Sequence, residues 1–369
     1  MANDLFDAVY GCLIGGAIGD AMGAPVEGWY WREIRQKYGK LDRFLDFDAG
    51  YARGAGHVTD DSYLRHLLCM AIVRVGGRVT PDDVAETLRE HMNPDRLWVN
   101  ERIVLIKIRQ GMNPWWETGR GTIPAGCASM AIAPIGIVNA GDPAQAYQDA
   151  FCVASLDQDG SNRDVAATFA AGVAAAFAPG ATVDSTIEAM FRHSDYLTRR
   201  ALTMVMEMAR SAGDVDRFVE RFYESKLMDW TWPQGNWRPE KHFSGNSIEF
   251  VPVVPALLYL CKGDVERCIV EGASFGRDCD TIGSLCGNLA GALCGASRIR
   301  PGWIAACETA NADVFQELHG DPSENFRRMA ERMVAAIEGE QRRAIARAER
   351  LGALLRGGAG RALANGLTG

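Results

Sequence analysis

The chain has 369 residues, 47% hydrophobic and 23% charged, which is enough apolar sequence for a sizeable core and excludes global disorder. Its 40 glycines follow no G-X-Y period, so a collagen-like fibre is excluded as well. A formal net charge of −8 with no basic run argues against a nucleic-acid binder.

From the N-terminus, Met1-Ala2-Asn3-Asp4 offers acid and no basic segment, so no signal peptide is expected. Gly11, Gly15, Gly19 and Gly23 then recur every four residues, which keeps them on one helical face. A loop is expected near 44–59. Over 62–75, Leu64, Leu67, Leu68, Ala71 and Ile72 follow the i, i+3, i+4, i+7, i+8 pattern of an amphipathic helix. Similar text recurs at 83–92, 164–178, 184–192, 198–211, 264–273, 281–296 and 323–356. Gly, Pro, Asp and Trp clusters mark further loops near 111–126, 156–163 and 229–247. The best strand candidate, Phe250-Val251-Pro252-Val253-Val254-Pro255, is demoted by its prolines. Gly283, Gly287, Gly291 and Gly295 form a second ladder of four. Glycine costs about 1 kcal/mol relative to alanine inside a helix, so each ladder implies a compensating gain, most simply close backbone approach.

Ten cysteines show no CxxC pair and no zinc-ligand spacing, which points to a reducing, cytoplasmic setting. The apolar stretch 281–297 is glycine-rich and slightly short for a span, so no membrane association is expected. The resulting organisation is one all-α domain over 1–340, followed by a C-terminal basic helix and flexible tail over 341–369. Within that last segment, 341–356 is amphipathic and basic, and fraying is expected from Gly357 onward.

Acidic residues gather beside both glycine ladders. Glu27 follows the first; Thr59-Asp60-Asp61-Ser62 opens the 62–75 helix; Asp278-Cys279-Asp280-Thr281 opens the second glycine helix. Helix capping explains one acid or hydroxyl at each start. Adjacent carboxylates repel, however, and one cap oxygen suffices. Two acid-plus-hydroxyl groups form a hard-oxygen set suited to Mg²⁺, Mn²⁺ or Ca²⁺ rather than zinc. With Glu27 added, two cations could share one site. His57 reads as a loop hydrogen-bonder outside that set.

The ordered set Gly15-Gly16-Ala17-Ile18-Gly19-Asp20-Ala21-Met22-Gly23 with Glu27, then Thr59-Asp60-Asp61-Ser62, then Asp278-Cys279-Asp280-Thr281-Ile282-Gly283 resembles the ADP-ribosylglycohydrolases over about residues 5–310. The resemblance implies a compact, orthogonal multi-helix all-α fold with two metal ions, usually Mg²⁺ and sometimes Mn²⁺. It implies metal-ligand roles for Thr59, Asp60, Asp61, Asp278, Asp280 and Thr281, and a catalytic role for the mobile acid Glu27. The implied reaction is hydrolysis of an N- or O-glycosidic bond at the ribose anomeric carbon of an ADP-ribosylated side chain or small acceptor.

Three features depart from the family pattern. In Ala125-Gly126-Cys127-Ala128-Ser129-Met130-Ala131, Ala125 and Ala131 stand where the family usually has Asn and Arg. Ala154-Ser155-Leu156-Asp157 replaces a frequent Thr-His pair, and Arg277 replaces a usual glycine. Arg277 either meets a phosphate or carboxylate or pairs with a neighbouring acid. Gly126, Ser129, Met130, Trp237, Asn246 and Arg277 are the candidate substrate contacts. Trp237 belongs to a loop with Trp230 and Trp232, read either as a wall for a nucleobase or as buried packing. Two other readings stay open: a hydrolase of a small N-riboside or nucleoside-like metabolite, and a non-catalytic, crystallin-like binding protein. The expected partner is an ADP-ribose-type or ribosyl small molecule; a monomer and a homo-oligomer are equally compatible.

Overall fold

The computed structural model describes residues 4–50, 52–225, 227, 245–321 and 323–365, with side chains as far as Leu355. Among them the architecture is all-helical, and the extended structure is confined to an isolated bridge between Asp48 and Arg53. Buried apolar residues from Val9 to Ala336 form one contiguous core.

At its centre two helices lie antiparallel, Leu5–Gly23 and Cys279–Cys294, and their glycines face one another. A Cβ on Gly15 would lie 2.6 Å from the Gly287 carbonyl oxygen, and one on Gly11 would lie 2.5 Å from that of Gly291. Gly19 abuts Gly283, and a Cβ on Gly23 would lie 2.5 Å from the backbone of Asp280. The ladders are therefore a backbone-to-backbone seam. Asn288 adds a side-chain bond across it, its amide donating to the Cys12 carbonyl at 2.6 Å beside Gly16. Gly295 differs from the other rungs: it ends the helix at φ 85°, a conformation that favours glycine. The first helix is long and apolar enough to cross a membrane by length and composition, and 83% of its most apolar window is buried inside the protein. Its apolarity serves the core.

The seam points the chain ends next to it toward one place. The Asp60–Val75 helix starts there and ends at Gly76, whose φ of 68° closes it. The proline-containing run at 250–255 is helical rather than extended, divided between Ser247–Phe250 and Val253–Leu260. Pro255 sits in the first turn, where its missing N–H costs no helix bond.

The expected change near residue 340 falls inside one helix, Phe326–Asn365. Met329, Ala330, Met333 and Ala336 anchor it in the core. Beyond them Arg343 donates to the Val75 and Gly76 carbonyls at 2.7 and 3.0 Å, satisfying the end of the Asp60–Val75 helix. The backbone remains helical past Gly357, because extending a formed helix adds one bond per residue and the text is rich in Ala, Leu and Arg.

The seam predicts an inverted response to alanine. Gly302→Ala, which has open space, should gain up to about 1 kcal/mol from helix propensity. Gly15→Ala should instead lose about 2 kcal/mol or more through overpacking against backbone. Urea unfolding of the two variants checks this; a stabilised Gly15→Ala contradicts the seam.

Candidate metal centre

The end of the seam carries acid from three directions. Past Gly23 a short 3-10 turn, Ala24–Val26, delivers Glu27. The Gly28 N–H donates to the Arg277 carbonyl at 2.7 Å and the Arg277 N–H to the Trp29 carbonyl at 3.0 Å, tying this turn to the loop before Asp278. Glu27, Asp278 and Asp280 then offer oxygens within 4.8 Å of one another. The Asp60–Val75 helix supplies the rest: the Thr281 hydroxyl donates to Asp61 Oδ1 at 3.4 Å, joining motifs more than 200 residues apart. The acids wall a cavity of about 220 Å³, together with Leu97, Trp98, Glu101, Ala125, Gly126, Cys127, Met130, Gly245 and Thr281.

Asp20, fully buried in the glycine helix, positions the Thr59 motif. It accepts from the Thr59 N–H at 3.1 Å, the Thr59 hydroxyl at 2.8 Å and the Ser62 N–H at 3.1 Å. The Asp60–Val75 helix is thus capped by a carboxylate from another helix as well as by Thr59 itself. Arg65, also buried, spends its guanidinium on the Met130 carbonyl, Ser284, Asn288 and Ser62. It ties the seam together and does not line the cavity.

Like charges crowd here. Burial, then the charges of Asp280, Asp20 and other acids, pushes the Asp61 carboxyl well above its ordinary range. Desolvation also raises Asp60 and Asp278 strongly, the former helped by Glu101 and Asp280, the latter by Asp280 and Glu27. Burial and Asp20 push Asp280 up to about 6. Asp61 Oδ2 and Asp280 Oδ1 are buried with no hydrogen-bond donor among the described residues. Among the described residues, none that lines the cavity is a Lys or Arg. Undonated carboxylate oxygens with no Lys or Arg among the described lining residues fit hard divalent cations, which Asp and Thr oxygens suit.

The sequence model of the ADP-ribosylglycohydrolase family matches residues 1–343. The chain belongs to the ADP-ribosylglycohydrolase family. It is 26% identical over 329 residues to YegU of Escherichia coli K12, a protein described as uncharacterized, covering 83% of this chain and 93% of that one. It is 24% identical over 309 residues to the ADP-ribosyl-[dinitrogen reductase] glycohydrolase of Rhodospirillum rubrum, covering 81% and 90%. A solved ADP-ribosylglycohydrolase-related protein complex shares the fold, with a TM-score of 0.63 at 18% identity over 90% of this chain and 98% of that one.

In this family member, Glu27, Asp60, Asp61, Asp278, Asp280 and Thr281 all line the cavity, whereas the Thr59 side chain is turned to Asp20. Gly126 and Met130 line it too; a Cβ on Gly126 would meet the Phe250 ring. Ser129 is buried and is not among the lining residues. Asn246 caps Ser247–Phe250, accepting from the Ile248 N–H at 3.2 Å. Arg277 is buried in an ion pair with Glu249 and lies against the Tyr223 ring, away from the lining. Its φ of 59° is a left-handed conformation, which accounts for the glycine that the family resemblance places there. Trp237 lies outside the described residues. His57 bonds to the Val58 carbonyl and Asp313, apart from the acids.

Asp20, Trp98 and Glu101 were not picked out by sequence reasoning. A carboxylate among the glycines at the apolar end of the first helix was the available signal for Asp20; no helical pattern was read over 99–109, so Glu101 had none.

Because the site carboxyls have raised pKa values, the metal-free folded chain binds more protons than the unfolded chain above pH ~4. Its stability should therefore fall as pH rises from there through about 6, where Asp280 titrates, and beyond as the other acids ionise. In EDTA the melting temperature should be lower at pH 8 than at pH 5.5, and saturating Mg²⁺ or Mn²⁺ should raise it more at pH 8. A divalent-metal effect equal at the two pH values contradicts this electrostatic reading.

Proposed function

We propose that this glycohydrolase works with two divalent cations, Mg²⁺ or Mn²⁺, held by Asp60, Asp61, Asp278, Asp280 and Thr281, while Thr59, turned to Asp20, positions the motif. The supporting observation is the pair of buried, undonated oxygens on Asp61 and Asp280. The bond cleaved is the N- or O-glycosidic bond at the ribose anomeric carbon of an ADP-ribosylated side chain or small acceptor. The described activity of the Rhodospirillum rubrum relative supports an ADP-ribose-type substrate.

Bound cations would supply positive charge to hold the ribose hydroxyls and a water. The residues do the rest. Glu27, the exposed member of the close carboxylate trio, takes a proton from the attacking water in this reading. The other carboxylates stabilise the positive charge that develops on the ribose as the bond breaks. Gly126 and Met130 form the adjoining wall, Gly126 carrying no side chain because one there would collide with Phe250. Holding water and ribose in one small cavity turns a two-body attack into a positioned one.

A second reading, a hydrolase of a small N-riboside, is favoured by the cavity wall itself. Ala125 contributes no polar side chain to the lining where the family usually has Asn, and Ala131, on the adjoining apolar chamber, carries no charge where it usually has Arg.

Product detection on ADP-ribosyl-arginine, ADP-ribosyl-serine and simple N-ribosides separates the two readings, by whether ADP-ribose or ribose is released. Asp280→Ala should lower turnover by more than ~100-fold, beyond the usual cost of losing a mere supporting group. Full turnover by the wild-type chain in EDTA would overturn the dimetal mechanism.

A further inference from the structure

The cavity wall contributed by the Val99–Arg109 helix holds one carboxylate that the mechanism above leaves unused. Glu101 is 2% exposed, lines the cavity, and has no partner for Oε2 among the described residues. Its carboxylate is held from the protein side by the Cys127 thiol. The Asn100 amide in turn reaches Cys127 Sγ at 3.5 Å and Asp157 Oδ1 at 3.3 Å. Glu101 and Cys127 also close a mainly apolar side chamber of about 60 Å³, walled by Leu64, Leu68, Leu88 and Ala131. Ala131 brings no charge to it. Glu101 lies on a different helix from the Glu27, Asp278 and Asp280 trio, whose oxygens lie within 4.8 Å of one another.

A buried carboxylate oxygen without a donor costs free energy until a donor reaches it. Its location on the cavity lining leaves the substrate to bring that donor. We propose that Glu101 receives the leaving group, its Oε2 accepting a hydrogen bond from an N–H on or next to the atom bonded to the anomeric carbon. This rests on the glycohydrolase reading above and narrows it to N-linked ribosides. The glycosidic nitrogen of an amide, amidine or guanidine carries or adjoins an N–H, whereas a glycosidic ether oxygen has only lone pairs to set against a carboxylate. A site built to bond a substrate N–H rejects the analogue lacking it far more strongly than an apolar pocket does. Cys127 acts as a positioning residue, fixing the carboxylate so that Oε2 stays toward the cavity.

The full-length, Mn²⁺-loaded chain and its Glu101→Gln variant test this on ADP-ribosyl-arginine and ADP-ribosyl-serine as an N-linked and O-linked pair. The wild-type chain should prefer the N-linked substrate. The variant should lose ~100-fold or more in kcat/KM on it and under ~5-fold on the O-linked one. Calorimetric Mn²⁺ stoichiometry should be unchanged, showing that the variant folds and holds its cations. Equal losses on both substrates, or an unchanged N-linked rate, overturn the proposal. If the wild-type chain cleaves neither, the glycohydrolase reading fails separately, and binding of methylguanidine decides the role of Glu101. Affinity about 10-fold weaker in the variant supports it; equal affinity, or no binding by the wild-type chain, overturns it.

Discussion

Everything in this molecule hangs on two helix backbones touching. Leu5–Gly23 and Cys279–Cys294 can approach this closely because the facing positions carry no side chain. The approach fixes Gly23 against Asp280, and so sets where the first helix ends relative to where the second begins. Glu27 follows the one and Asp278 starts the other. The helix-propensity cost of the glycines is the local penalty for bringing those ends together.

The second consequence is electrostatic. A carboxylate-rich cavity inside a protein is unstable to ionisation, and the raised pKa values of Asp60, Asp61, Asp278 and Asp280 express that. Asp20 belongs to the same neighbourhood but is spent differently. Donors from Thr59 and Ser62 satisfy it, so it fixes the start of the Asp60–Val75 helix. The contrast between a donated Asp20 and the undonated oxygens of Asp61 and Asp280 separates scaffold from site. That difference is chemical, since all three are equally deep.

How much of this was legible depended on whether a constraint lies within a few residues of chain. The glycine ladders were readable because their spacing of four is itself the packing requirement. The acid motifs were readable because paired carboxylates at a helix start exceed what capping needs. Asp20 was quoted within its motif without a role, since its partners at 59 and 62 are supplied by another helix. Arg277 was left between a substrate anion and a neighbouring acid; the fold gives it Glu249, 28 positions earlier in the chain. Glu101 was missed altogether, because the helix that carries it, Val99–Arg109, was itself not read from the sequence. Helical text over 323–356 already crossed residue 340; the difference lies past Gly357, where fraying was expected and the backbone continues helical to Asn365.

The central claim is that the glycine seam assembles acids from both motifs into one two-cation site. Anomalous scattering from crystals of the chain soaked in Mn²⁺ tests it most directly. The account predicts two adjacent anomalous peaks, contacted by carboxylates of Asp60 or Asp61 and of Asp278 or Asp280. A structure with Mn²⁺ bound elsewhere and no peak between these carboxylates at saturating metal would contradict it.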